Sequence, residues 1–177
     1  MTTKQFLPLP YGQDDFDNLK ADGCYFVDKT SSLKDVIDTD KSYVMLFTRP
    51  RRFGKSLFMT MTESFLKINS DNPGDTTLQQ KSFKDTKILD DKEFCNKYMG
   101  QHPVICLTLK GVQGKTFKAA YYKLAELIVA KAKEYSFLKD SPALNDDDKE
   151  TYANLSRKSY LRKYNEEALS DATSSII

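Results

Sequence analysis

The stretch Tyr43-Val-Met-Leu-Phe-Thr-Arg-Pro-Arg-Arg-Phe-Gly-Lys-Ser56 decides how the chain is read. Its first half, Tyr43 to Phe47, is continuously apolar with β-branched and aromatic character, which predicts a central strand covered on both faces in a parallel sheet. Its second half closes on Gly54, Lys55 and Ser56, the end of a phosphate-binding loop. A loop of the form G-x-x-x-x-G-K-[ST] works because backbone N–H groups at a helix N-terminus surround the β-phosphate. The lysine reaches the β and γ oxygens, and the hydroxyl holds Mg²⁺. The first glycine of that pattern falls at Arg49, where a positive φ would be costly for a residue with a Cβ. The loop therefore has to enter by another backbone path. Beyond it, Leu57, Met61 and Phe65 recur at i, i+4 and i+8 with Phe58 alongside, which predicts an amphipathic helix from Lys55 to about Lys67. Strand, loop, helix is the context that the motif demands.

Charge supports the same reading. Arg49, Arg51, Arg52 and Lys55 put four cations within seven residues, and no acid lies between Asp40 and Glu63. Such mutual repulsion calls for an anion. Two plainer readings compete: a solvated turn followed by an ordinary helix start, or a nucleic-acid contact with Phe53 as its only aromatic. Triphosphate binding accounts for the lysine, the serine and the flanking elements together, and the others account only for the charge.

Outward from the loop, short strands and helices alternate. Phe6 to Gly12, with two prolines and a glycine, suits an extended lead-in, and Asp15 to Gly23 reads as a short capped helix. Cys24 to Asp28 reads as a brief extended segment. A further helix starts at Asp28 or Thr30 and ends near Asp38 to Asp40, carrying Leu33, Val36 and Ile37. Residues 69 to 76 are a loop by composition, and Phe83 to Asp91 reads as mostly irregular. Pro103 to Leu109 predicts a second buried strand, and a long helix follows from about Thr116 to Tyr135. After a polar connector from Lys139 to Asp148, the tail from about Asp147 to Leu169 reads as helical, with a break near Asn154 to Lys158. The expected fold is thus an incomplete α/β, P-loop NTPase-like parallel sheet flanked by helices, ending in a helical C-terminal segment. One domain over residues 1–177 is expected: lead-in and helices over 1–40, the strand, loop and helix core over 41–138, and a helical tail over 139–177.

Composition narrows the class. At 177 residues and 40% hydrophobic, the chain can build a core for one domain. A formal net charge of +2 gives no global field for nucleic acid or membrane. Cys24, Cys95 and Cys106 are odd in number and lack ligand spacing, which fits a reducing cytoplasm and neither zinc nor disulfides. Apolar runs of about five residues fall far short of the roughly 18 that a membrane span needs, and the N-terminus shows no signal pattern.

Arg49-Pro-Arg-Arg-Phe-Gly-Lys-Ser-Leu57, preceded by Tyr25-Phe-Val-Asp-Lys-Thr30 and by Leu9-Pro-Tyr-Gly-Gln-Asp-Asp-Phe16, resembles the predicted AAA-ATPase family of bacteria. In that family an R-P-R-R-F-G-K-[ST]-L loop stands in place of the usual Walker A, so Arg49 at the glycine position is what the resemblance leads one to expect. The loop is also similar to those of archaeal-type and signal-transduction ATPases. The resemblance extends through His102 to Leu109 and the helix that follows. It implies an ATP-binding P-loop module, with nucleotide contacts from Arg49, Pro50, Arg51, Arg52, Phe53, Gly54, Lys55, Ser56 and Leu57, and with Ser56 on Mg²⁺. It also implies base-side contacts from Asp28, Lys29 and Thr30, for which a helix cap and a surface lysine are the plainer account. Members are often joined to a C-terminal nuclease-like domain, a partner that would lie outside this chain.

The sequence departs from the family in one respect. Members carry a Walker B strand ending in Asp-Glu after the helical stretch, and none is found here. Val104 to Leu109 ends in Lys110, and Lys87-Ile-Leu-Asp-Asp91 has only two apolar residues before its acids. Phosphoryl transfer needs an oriented water and charge stabilisation, so Lys55 and Ser56 without that acid predict binding of phosphates and poor hydrolysis. The expectation is the N-terminal part of a longer ATPase, or a shortened gene. Strand edges and an apolar face left uncovered then predict self-association or an altered C-terminal packing. The remaining alternative is an interaction or nucleic-acid-binding fragment, or an inert remnant. His102 and Cys106 read as structural. The acids Asp146 to Asp148 read as a helix N-terminus, where negative charge is favoured.

Overall fold

The computed structural model describes residues 7–38 and 44–157. Its elements are α1 (Phe16–Ala21), α2 (Ser32–Ile37), α3 (Lys55–Leu66), α4 (Thr77–Ser82), α5 (Lys92–Tyr98), α6 (Phe117–Glu134) and α7 (Asp146–Leu155). Short 3-10 turns run over Lys87–Asp90 and Ser136–Asp140. The chain divides into two compact units, Met1–Val104 and Ile105–Ile177.

The expected parallel sheet is not seen. Among the described residues there is no β-strand, only an isolated parallel bridge between Lys67 and His102, and the regular structure is helical. Val44, Met45, Leu46 and Phe47 belong to no regular element and are 83%, 39%, 86% and 47% exposed, which is incompatible with a strand covered on both faces. Tyr43, the start of that expected strand, lies outside the described residues. The second run behaves alike: residues 103–109 belong to no regular element, and Ile105, Leu107 and Leu109 are exposed. A continuous apolar run signals burial without saying against what, and a strand exists only where a neighbour completes its ladder.

In the first unit, Phe16, Leu33, Met61, Phe65, Phe83, Ile88, Phe94 and Met99 form the core. The ring of Phe83 packs against Phe16 at 4.7 Å and against Phe65 at 5.3 Å, and Phe65 stacks on Phe94 at 5.7 Å. Four phenylalanines from α1, α3, α5 and the turn after α4 thereby fix how these elements meet. Asp15 caps α1, its carboxylate accepting from the Asn18 N–H at 2.8 Å. Asp91 caps α5 by accepting from the Phe94 N–H at 3.0 Å, and it pairs with the Lys34 ammonium of α2.

The Asp28 carboxylate accepts from the Thr30 N–H at 2.9 Å, the Thr30 hydroxyl at 2.7 Å and the Lys87 N–H at 2.8 Å. The Thr30 hydroxyl, fully buried, accepts in turn from the Ile88 N–H at 3.1 Å. Burial would push the Asp28 carboxyl up, but the hydrogen bonds from Thr30 and Lys87 outweigh it and hold the group below its ordinary value.

In the second unit α6 buries Ala125, Ile128, Val129 and Ala132 against Leu155 of α7. Thr116 caps α6 through the Ala119 N–H, and Asn145 caps α7 through the Asp148 N–H at 2.8 Å. Asp146, Asp147 and Asp148 sit in the first turn of α7, the favourable end of its dipole. The Tyr152 hydroxyl lies 2.5 Å from the Ala132 carbonyl and 2.8 Å from that of Tyr135, a carbonyl that also accepts from the Leu138 N–H at 2.9 Å, and so ties α7 to the end of α6. Leu155 ends α7, and the expected continuation beyond residue 157 lies outside the described residues.

Candidate functional site

The loop at residues 48–54 joins the irregular approach, residues 44–47, to α3. Phe47 packs on Phe58, ring to ring at 5.4 Å, and fixes the loop's entry against the helix it leads into. Arg52 and Gly54 both adopt positive φ, 66° and 75°, so the chain makes two left-handed steps immediately before α3. Gly54 is the N-cap and has no side chain to satisfy the helix. The N–H groups of Lys55, Ser56 and Leu57 in the first turn therefore have no intrahelical acceptor and no capping side chain, while the Phe58 N–H closes on the Gly54 carbonyl at 2.9 Å. No acid occupies that first turn.

The Lys55 ammonium folds back within the loop and donates to the carbonyl of Arg49, with the Pro50 carbonyl at 3.3 Å. Arg49, Pro50, Arg51, Arg52, Phe53, Gly54 and Lys55 are all exposed, and Ser56 and Leu57 are half-buried. Among the described residues no carboxylate pairs with Arg49, Arg51, Arg52 or Lys55. The result is an exposed, positively charged loop leading into a helix start with open N–H groups, suited chemically to an anion.

The rest of α3 anchors this loop. Met61 and Phe65 bury its inner face in the core. The Thr60 hydroxyl accepts from the Phe16 N–H at 3.1 Å and lies 3.1 Å from the Asp14 carbonyl, and the Ser64 hydroxyl donates to Asp17 at 2.7 Å. Thr60 and Ser64 thus tie α3 to the start of α1. Sequence reasoning missed them because a threonine inside a helix carries no mark of a distant partner. At the other end, residues 100–102 cover the last turn: the Gly100 N–H donates to the Phe65 carbonyl and the His102 N–H to that of Leu66, each at 2.9 Å. His102 acts there through its backbone.

Asp28, Lys29 and Thr30 are brought together with residues 87–88 rather than with the loop. Among the described residues no hydrogen bond joins them to residues 49–57. Lys29 is exposed, whereas Thr30 is wholly buried. Asp91 is occupied by Lys34 and by the α5 cap. The Cys95 thiol, raised by burial and by the nearby Asp91 charge, donates to the Ile88 carbonyl at 3.2 Å. Among the described residues no group of three or more His, Cys, Asp and Glu is arranged to hold a metal ion, and no helix is long and apolar enough to cross a membrane.

A family description, Predicted AAA-ATPase, matches residues 10–173, nearly the whole chain. The chain belongs to the predicted AAA-ATPase family. No curated protein and no solved structure matches it. Membership in this AAA-ATPase family spans both units, so the basic loop of the first and the α6–α7 pair of the second are parts of one family pattern.

Proposed function

We propose that the chain binds a nucleoside triphosphate, ATP in the first instance, through residues 49–57. The observation that carries this reading is the loop itself: open N–H groups of Lys55, Ser56 and Leu57, two left-handed steps at Arg52 and Gly54, and four exposed cations that meet no carboxylate among the described residues. Family membership supports it.

Binding would exchange weak internal contacts for strong ones. The Lys55 ammonium leaves neutral carbonyls for anionic oxygens, and charge-assisted bonds are roughly twice as strong as neutral ones. The N–H groups gain an acceptor that the helix dipole favours. Ser56, at the second position of α3, would supply its hydroxyl to Mg²⁺, which screens the phosphate charge when bound. Lys29 is the one member of the base-side trio whose side chain is exposed and, among the described residues, uncommitted. Asp28 and Thr30 would serve by holding it in place. Hydrolysis requires a group that orients water and balances charge, and no residue of the described site is placed for that role.

The test is Lys55→Ala. The side chain is exposed and bonds only within the loop, so stability should change by less than about 0.5 kcal/mol, while the rise in unfolding temperature produced by saturating Mg-ATP should vanish. Ligand at about 100 times its dissociation constant adds roughly 2.7 kcal/mol to the wild type, several degrees at this size. Undiminished stabilisation of the variant by ATP would remove the loop from the nucleotide site.

A further inference from the structure

The loop holds more positive charge than one lysine-to-phosphate contact uses. Arg49, Arg51, Arg52 and Lys55 are all exposed, and among the described residues none is matched by a carboxylate. No acid lies in the first turn of α3. A triphosphate tail at neutral pH carries roughly four negative charges, about two of them on the terminal group. One lysine leaves most of that charge to a divalent cation. Here three guanidinium groups stand beside the lysine, permanently charged and shaped to take two oxygens at once.

We infer that Arg49, Arg51 and Arg52 take over charge neutralisation that a metal ion would otherwise supply, so that this loop binds the free nucleoside triphosphate and needs no divalent cation to do so. The inference rests on the nucleotide-binding reading above and deepens it by naming the ligand's form. In this scheme Mg²⁺ at Ser56 adds to binding without being a condition of it. Because the arginines are solvent-facing, their attraction is screened by salt, and affinity for the metal-free nucleotide should fall as ionic strength rises. A preference for triphosphate over diphosphate follows, since the terminal group carries the charge that the extra cations answer.

Calorimetric titration of the full chain with ATP, in excess Mg²⁺ and in excess EDTA at matched ionic strength, tests it. The two dissociation constants should agree within about threefold. Arg51→Gln with Arg52→Gln should weaken binding in EDTA by about tenfold or more and binding in Mg²⁺ by less. Arg51→Lys with Arg52→Lys, which keeps the charge, should recover most of the loss. Unfolding temperatures of both variants check that the fold is intact. Strong binding in Mg²⁺ that EDTA abolishes would overturn the inference and leave the nucleotide site standing. Absence of binding in both buffers would remove the nucleotide reading and the inference with it. Binding of a single-stranded oligonucleotide with no response to ATP would overturn both and assign the cations to a polyanion.

Discussion

Arg52 and Gly54 sit in the same left-handed region, at φ 66° and 75°, yet only one of them is glycine. A Cβ at Gly54 would meet nothing within 4 Å, so Gly54→Ala is a test of backbone strain alone. It should cost about 1–2 kcal/mol in denaturant unfolding. Arg52→Gly should move stability by less than about 1 kcal/mol and in the stabilising direction, because relief of strain is partly offset by greater freedom of the unfolded chain. A larger loss on Arg52→Gly would mean that the guanidinium holds the loop together. The pair also shows how far the candidate site was legible. Gly54, Lys55 and Ser56 stand out as candidates because each residue type has a role in phosphate binding. The left-handed step at Arg52 was not, since φ is set by the path of the whole loop and leaves no trace in an arginine codon.

Helices were legible wherever caps and spacing agreed. The reading of α3 as starting at Lys55 and of α6 as running from about Thr116 to Tyr135 lies within a residue or two of the observed bounds, and Asp15 does cap α1. α4 and α5 were missed, the first because Thr77 to Ser82 carries almost no apolar stripe, the second because seven residues are too few for a period to show. The strands failed for a different reason: Val44 to Phe47 has strand composition, but composition cannot supply a neighbouring strand. What joins α2 to the turn before α5 is equally non-local, and it yields a pH prediction. The Asp28 carboxyl is held below its ordinary value of 3.8, so the stability it contributes is present above that pH and is lost as pH falls toward the folded value. Asp28→Asn should flatten the acid limb of a stability curve below about pH 4 relative to wild type. Thr30→Val should cost about 1–3 kcal/mol, because the Ile88 N–H loses its acceptor in a buried site. Parallel acid limbs in wild type and Asp28→Asn would show that the carboxylate is not coupled to folding.

At the scale of the whole molecule, the apolar surface left open is the dominant fact. The first unit exposes Val44, Leu46 and Phe47 in one run, and the second exposes Ile105, Leu107 and Leu109 in another. Scattered exposed apolar residues are ordinary, but several close together in the chain make a candidate association surface. The net charge of +2 supplies little repulsion to keep copies apart. Sedimentation velocity over a range of protein concentrations should therefore show reversible association rather than a fixed monomer. Because each run belongs to a different unit, single substitutions separate their contributions: Leu46→Lys removes the first and Leu109→Lys the second. Both side chains are mostly solvent-exposed, so stability should change by less than about 0.5 kcal/mol while the sedimentation coefficient falls toward that of a monomer. If only Leu46→Lys acts, association runs through the approach to the basic loop, and nucleotide affinity should then depend on protein concentration. If only Leu109→Lys acts, that affinity should be the same in monomer and oligomer. A wild-type chain that stays monomeric throughout would show that these runs do not drive self-association.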